Sequence, residues 1–173
     1  MDLDVNRNYF NIDLKGNISI PTNTSFNAYA NGSLITINKN DSFNSSFVNQ
    51  LHIEYNNSYL IVNTSVLFNV EKISYNGELK GIIYVSGNSS LTEQLMSILT
   101  SLNKSVVEQY INTSNIRGVN VRDWIVSSGE DNTTIYFYIA LDFKSLNQSL
   151  NNVFANTSSN ISIDLLKLIE NAP

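Results

Sequence analysis

Residues 51–70 read LHIEYNNSYLIVNTSVLFNV, and this stretch decides the fold. Apolar side chains occupy every second position on both sides of the pair Asn56-Asn57, at Leu51 and Ile53 and then at alternate positions of residues 60–70. A period of two places apolar side chains on one face of an extended chain. Two such runs joined by a short polar break predict a β-hairpin, so antiparallel strands are expected on either side.

The same alternation continues outward in both directions. Residues 10–20 predict a long strand with one buried face, and residues 26–37 predict a second strand with a bulge or turn where the phase shifts at Asn31-Gly32. Residues 75–78 carry a second hairpin signal, an Asn-Gly pair, before a strand over residues 79–85. Residues 119–127 and 134–143 follow, and the latter are apolar on both faces, which predicts an interior strand covered on both sides.

Helices are predicted where the period changes to about 3.6. Residues 90–110 fit one helix with an interruption near Asn103, and residues 145–148 form a capping box that would begin a second helix ending near residue 154. Residues 161–170 fit strand or helix, and their leucines favour helix. The sequence therefore predicts one α+β domain over residues 1–173, with a mostly antiparallel sheet of about seven strands packed with two or three amphipathic helices.

Neutral polar residues replace charge in this chain. Charged residues make up 14% of the sequence, whereas Asn, Ser and Thr fill 61 of 173 positions. The net charge of −5 disfavours nucleic acid as a partner, and the absence of cysteine excludes disulfides and thiolate chemistry. The longest apolar run falls well short of the roughly 20 residues of a membrane helix, so membrane contact is expected only through segments absent from this chain.

Sequons of the form Asn-x-Ser/Thr are far more frequent than chance. Random placement of these residues would give about five acceptors. The dense sequons predict an N-glycosylated domain that is secreted or displayed on the cell surface, although an Asn-rich composition also creates some sequons by chance. The fourteen acceptors are Asn17, Asn23, Asn31, Asn40, Asn44, Asn56, Asn63, Asn88, Asn103, Asn112, Asn132, Asn147, Asn156 and Asn160.

In its low charge and dense sequons the chain resembles secreted and cell-surface proteins of acidophilic archaea. The resemblance is compositional and extends over the whole length. Amides and hydroxyls keep their hydrogen bonds at any pH, whereas carboxylates lose their charge near pH 4. The resemblance implies an acidic exterior.

Catalytic signatures are sparse. His52 is the one histidine, and its strand pattern places it beside Glu54 on a polar face, where a solvated role is expected. Residues 130–132 fit a polar turn better than a calcium loop. We expect no catalytic residue, metal or cofactor, although carboxylates that meet only in space leave a secreted hydrolase as an alternative.

Aromatic residues offer the remaining candidate site. Trp124 on one strand and Tyr136 with Tyr138 on the next are predicted to share a face as a platform for a sugar, a lipid or a partner, unless they pack as ordinary core. The leading hypothesis is a non-enzymatic, glycosylated surface domain that is structural, adhesive or partner-binding, with other surface proteins or its own copies as partners. The first alternative to it is an extracellular carrier that holds an apolar ligand between sheet and helices, and the second is the secreted hydrolase. Residues 9–20 are expected to form an edge strand, paired in its own sheet or offered to a neighbour.

Overall fold

Long strands dominate the computed structural model, which describes residues 4–18, 24–55, 57–88, 90–157 and 162–172. The strands run further than the apolar alternation that predicts them, because Asn, Ser and Thr continue the ladder beyond the apolar positions. The elements are β1 (Asp4–Ile18), β2 (Thr24–Asn38), β3 (Ser42–Tyr55), β4 (Ser58–Glu71), β5 (Asn76–Gly87), α1 (Ser90–Ser101), α2 (Lys104–Thr113), β6 (Val119–Ser128), β7 (Asn132–Asp142), α3 (Phe143–Ala155) and α4 (Leu165–Glu170).

The seven strands form one sheet in the order β1-β2-β3-β4-β5-β7-β6, and every neighbouring pair is antiparallel. The first five strands make a meander. Helices α1 and α2 then carry the chain past the position next to β5 to form β6, and β7 returns between β5 and β6. The predicted α+β class and strand number are confirmed, as is the edge position of β1.

Helices α1, α3 and α4 pack on one face of the sheet, which we call the helix-side face; the opposite face is the polar face. Helix α2 packs against the edge strand β6. At the start of α3, the ring of Phe143 contacts that of Phe68 on β4 at 6.1 Å between centroids. Beyond the end of α1, the carbonyl oxygen of Leu102 accepts a 2.6 Å hydrogen bond from Nε1 of Trp124 on β6. Directly paired residues share a face, so the strand registers assign every side chain of the sheet to one of the two faces.

The buried core occupies only the part of the sheet that the helices cover. Among the residues that the structure describes, no buried apolar side chain lies on β1, β2 or β3. The core therefore sits between the helices and β5, β7, β6 and the end of β4. Its buried apolar members are Val70, Val85, Met96, Val121, Ile135, Phe137, Phe143 and Ile169.

The bulge expected in β2 is absent. Its register with β3 is continuous from Phe26 paired with Tyr55 to Asn38 paired with Phe43. The apparent change of phase at Asn31-Gly32 is misleading because the helix-side positions from Ala28 to Gly32 hold small residues, while Ile35 lies on the polar face.

The hairpin between β4 and β5 is confirmed, but its turn comes earlier than the Asn-Gly pair. Residues 72–75 form the turn, and Tyr75 adopts a positive φ of 54°. Gly77 already belongs to β5, where a Cβ would lie 2.7 Å from Cε2 of Phe143. Close approach of that ring, rather than turn geometry, explains the glycine.

The prediction that β7 is an interior strand is confirmed, but the expectation of cover on both sides is wrong. Ile135 and Phe137 are buried under the helices, whereas Tyr136 on the polar face is 37% exposed. A tyrosine places its hydroxyl in water while its ring covers the strand, so two apolar-looking faces did not mean two packed layers.

The helix boundaries follow local capping. Asn103 separates α1 from α2, as expected, and its Oδ1 accepts a 3.0 Å hydrogen bond from the backbone N–H of Val106. Helix α3 begins earlier than predicted, because Asp142 accepts from the N–H groups of Lys144 and Ser145, so Ser145 lies inside the helix. Residues 165–170 are helical, while residues 158–161 lie outside the described part of the chain.

Candidate functional site

The helix-side face of β1, β2 and β3 is apolar, yet only its end is reached by the helices, through Phe43. Leu14 is 58% exposed, Ile12 48% and Leu34 39%. The rings of Phe10 and Phe47 stack beside them, with centroids 6.2 Å apart and planes 14° apart. We call this surface the uncovered patch; it consists of Phe10, Ile12, Leu14, Leu34, Phe47 and Leu51.

The uncovered patch has no charged residue, whereas the polar face of the same strands has several. On the helix-side positions of β1 to β4, Asp4 at the start of β1 is the one charged residue among those described. The polar face of the same strands carries Arg7, Asp13, Lys15, Glu54 and Glu71. The two faces of this half of the sheet therefore differ in charge as well as in polarity.

The sequons follow the same division. Four acceptors with described side chains lie in strands, and the registers place all four on the polar face: Asn31, Asn44, Asn63 and Asn132. A sequon joins positions i and i+2, which point to the same side of a strand. A polar face built from Asn, Ser and Thr therefore generates sequons, and an apolar face does not.

Most of the described acceptors are accessible. Six are exposed and four are half-buried, while Asn17, Asn23, Asn56 and Asn160 lie outside the residues whose side chains are described. The exposed acceptors are Asn31, Asn40, Asn88, Asn103, Asn112 and Asn156. Half-buried Asn147 is engaged within the protein, since its Oδ1 accepts a 2.8 Å hydrogen bond from the N–H of Leu165 and joins α3 to α4.

The three aromatic residues nominated from the sequence do not form one platform. Trp124 lies on the helix-side face, where its ring packs 6.0 Å from that of Phe137. Tyr136 and Tyr138 lie on the polar face. The bulge between Val121 and Asp123 in β6 shifts the phase of that strand, which is why the sequence pattern placed Trp124 on the wrong side.

Tyr138 instead joins a charged cluster on the polar face. Its hydroxyl donates a 2.5 Å hydrogen bond to Oε1 of Glu78, and Nζ of Lys80 lies 3.5 Å from Oε2 of the same carboxylate. The hydrogen bond from Tyr138 lowers the pKa of Glu78, and the nearby Lys80 adds to that lowering. The same hydrogen bond raises the pKa of Tyr138. Glu78 therefore stays ionised on the polar face, unlike a general acid, whose carboxyl pKa would be raised.

A cleft of about 1050 Å³ opens near this cluster and reaches α2. Most of its lining residues are polar, and they include four carboxylates against one guanidinium, that of Arg122. The carrier hypothesis called for an apolar cavity between the sheet and the helices. This cleft is unsuitable for an apolar ligand, because the ligand would remove carboxylates from water without pairing them.

The other candidate chemical groups remain dispersed. Nε2 of His52 lies 3.4 Å from Oε1 of Glu54 on the polar face, as predicted. Within the described ranges, no three acidic or histidine side chains come together in a way that would hold a metal ion.

The alternation identified Phe10, Ile12, Leu14 and Leu51 of the uncovered patch. It missed Leu34 and Phe47, and it did not predict that any of the six would be exposed. Alternation identifies the apolar face of a strand and assumes that something covers it. The signal that would have revealed the patch is the small number of helical residues relative to the length of the strands.

Comparisons of this chain with protein-family models, with curated proteins and with solved structures find no match. Among the described residues, the helices are all too short or too polar to span a membrane.

Proposed function

We propose that this chain is a non-enzymatic, N-glycosylated domain of a secreted or cell-surface protein, and that it acts by binding a partner. Glycans would occupy the polar face and the loops, while the uncovered patch would contact the partner. One observation carries the proposal: the strand sequons lie on the face opposite a charge-free apolar surface.

Leaving the uncovered patch in water costs free energy. Half-exposed Ile12, Leu14 and Leu34 retain apolar area whose burial is worth roughly 25 cal/mol per Å². Contiguous exposed apolar surface bordered by polar residues is typical of an interaction site. A glycan on the same face would block such contact, so segregation of the sequons keeps the patch accessible.

Glycopeptide mapping of protein purified from the cells that produce it tests the proposal. We expect attached glycans at exposed acceptors such as Asn31, Asn40 and Asn112. Unmodified peptides at these three sites would overturn the glycosylated-domain proposal, whatever the state of association of the chain.

A further inference from the structure

We infer that the partner of the uncovered patch is a second copy of this chain. Two copies would stack their patches face to face, as the two sheets of a β-sandwich do, with both polar faces outward. This inference rests on the proposed function, because it names the partner of the same surface.

The side chains of the patch suit sheet-on-sheet packing. Sandwiched sheets lie about 10 Å apart and interdigitate apolar rows from aligned strands. On β1 the row Phe10, Ile12, Leu14 has this form, and Leu34 and Phe47 continue it across the next two strands. Helices already cover the same face over β5, β7 and β6. A second sheet would extend that cover over the remaining strands.

The distribution of charge favours self-association through this surface. Each chain carries a net charge of −5, so two copies repel each other overall, and contact through a surface without charge adds least to that repulsion. The uncovered patch lacks charge, and it is bordered by a charged residue at Asp4 alone among the helix-side positions of β1 to β4. Stacking through the patch places the charged polar faces on opposite outer surfaces, as far apart as the dimer allows.

The available area is sufficient for a dimer. With β4, whose helix-side Val62 and Val66 pair with patch residues, the surface spans four strands, or about 19 Å. About ten residues of each strand lie clear of α3 and α4, which is about 33 Å of length. The product is about 600 Å² per copy, at the lower end of the roughly 600–1,000 Å² that each partner contributes to a standard interface. A moderate affinity is expected from such an area.

Strand donation is a less suitable mode of assembly. β1 pairs with β2 along its whole length, from Asp4 opposite Asn38 to Ile18 opposite Thr24. Transfer of β1 to a neighbour would remove this ladder and expose the edge of β2. Stacking requires no change in the sheet.

Sedimentation velocity of the unglycosylated recombinant chain, from about 1 to about 100 μM, tests the inference. We expect reversible dimers, and at least tenfold weaker association in Leu34→Asp, because a two-fold interface contains each substitution twice. The matched control is Leu67→Asp, at a strand position that is 51% exposed but lies on the polar face. We expect it to leave the dissociation constant unchanged.

A second measurement keeps the test decisive if the aspartate variant misfolds. The chain has no cysteine, so Leu34→Cys and Leu67→Cys each introduce one thiol. As the protein concentration rises, the rate of maleimide labelling should fall several-fold for Leu34→Cys and stay constant for Leu67→Cys.

Three results would overturn the second-copy inference: a wild-type chain that stays monomeric, equal effects of the two aspartate variants, or labelling of both thiols that does not depend on concentration. Capture of lipid vesicles by a monomeric chain would also overturn it. Glycopeptides that carry glycans alongside any of these results would leave the proposed function standing.

Discussion

At the scale of single residues, Gly32 shows how an aromatic ring replaces a missing side chain. It lies in the middle of β2, and a Cβ there would be 2.5 Å from Cζ of Phe10 and would also collide with the carbonyl oxygen of Val48. The ring of Phe10 therefore lies on the glycine and stacks on Phe47. Gly81 under Phe137 repeats the arrangement in the core.

We predict that Gly32→Ala destabilises the protein by about 1–3 kcal/mol. Conformational entropy alone would make the substitution stabilising, since alanine is favoured over glycine by about 0.5–1 kcal/mol in regular structure. The clash is with backbone, which cannot move aside cheaply. Chemical denaturation measures the difference. Gly129→Ala is the control, because the nearest atom to its Cβ is the side-chain Oδ1 of Asn132 at 3.0 Å. A Gly32→Ala variant as stable as wild type would contradict the packing account.

The pair of Glu78 and Tyr138 gives a prediction about pH. In Tyr138→Phe the carboxylate loses the hydrogen bond that most lowers its pKa, so the pKa of Glu78 should rise toward that of an ordinary glutamate. NMR titration of the side-chain carboxyl carbons measures this directly. An unchanged pKa would show that Lys80, rather than the hydroxyl of Tyr138, lowers the pKa of Glu78.

The same pair predicts the sign of the stability change. A lowered pKa in the folded state stabilises the fold above the unfolded pKa of Glu78 and ceases to do so as pH falls through the folded pKa. The destabilisation by Tyr138→Phe should therefore be present at pH 7 and diminish below about pH 4.

At the scale of elements, the lengths of helices and strands explain why half the sheet is left uncovered. The four helices contain 12, 10, 13 and 6 residues. At 1.5 Å per residue and about 10 Å of width, they can cover at most about 600 Å². Seven strands of 10–15 residues make a sheet of about 1,400 Å².

Local patterns in the sequence predict the elements well because each depends on neighbours in the chain. Alternation placed the seven strands, and the cap at Asn103 placed the break between α1 and α2. The predictions that were wrong concern features that depend on residues distant in the chain. The ring of Phe143 decides the role of Gly77, and the bulge after Val121 turns Trp124 away from Tyr136. The exposure of the patch depends on which strands the helices pack against, and local sequence patterns do not determine this.

We predict that β1 exchanges its amide hydrogens faster than the interior strands in dilute protein. Its described side chains are exposed apart from Phe10 and Gly16, so main-chain bonds to β2 hold it with little burial. Hydrogen exchange followed by mass spectrometry of peptides from β1 and β7 measures the contrast. Protection of β1 equal to that of β7 below the concentration of dimer formation would contradict this.

At the scale of the whole molecule, sparse charge predicts resistance to acid. The chain has 15 acidic residues and one histidine among 173, so proton uptake contributes little to the difference between folded and unfolded states. We predict a native circular dichroism spectrum down to about pH 2–3. Unfolding already near pH 4 would contradict the idea of an acidic exterior.

If one face of the sheet carries glycans and the other binds the partner, β1 permits a direct test on a single strand. Asn8→Thr creates a sequon at Asn6 on the helix-side face, and Asp13→Thr creates one at Asn11 on the polar face. All four positions are exposed. Each variant is produced in a glycosylating host and in bacteria, where the new site stays bare.

The deciding measurement is the sedimentation of these glycosylated variants. We predict that a glycan at Asn6 abolishes self-association and that a glycan at Asn11 leaves it as in the wild type, while both bare variants associate normally. Equal association of the two glycosylated variants would contradict the division of the sheet into a glycan-bearing face and a partner-binding face.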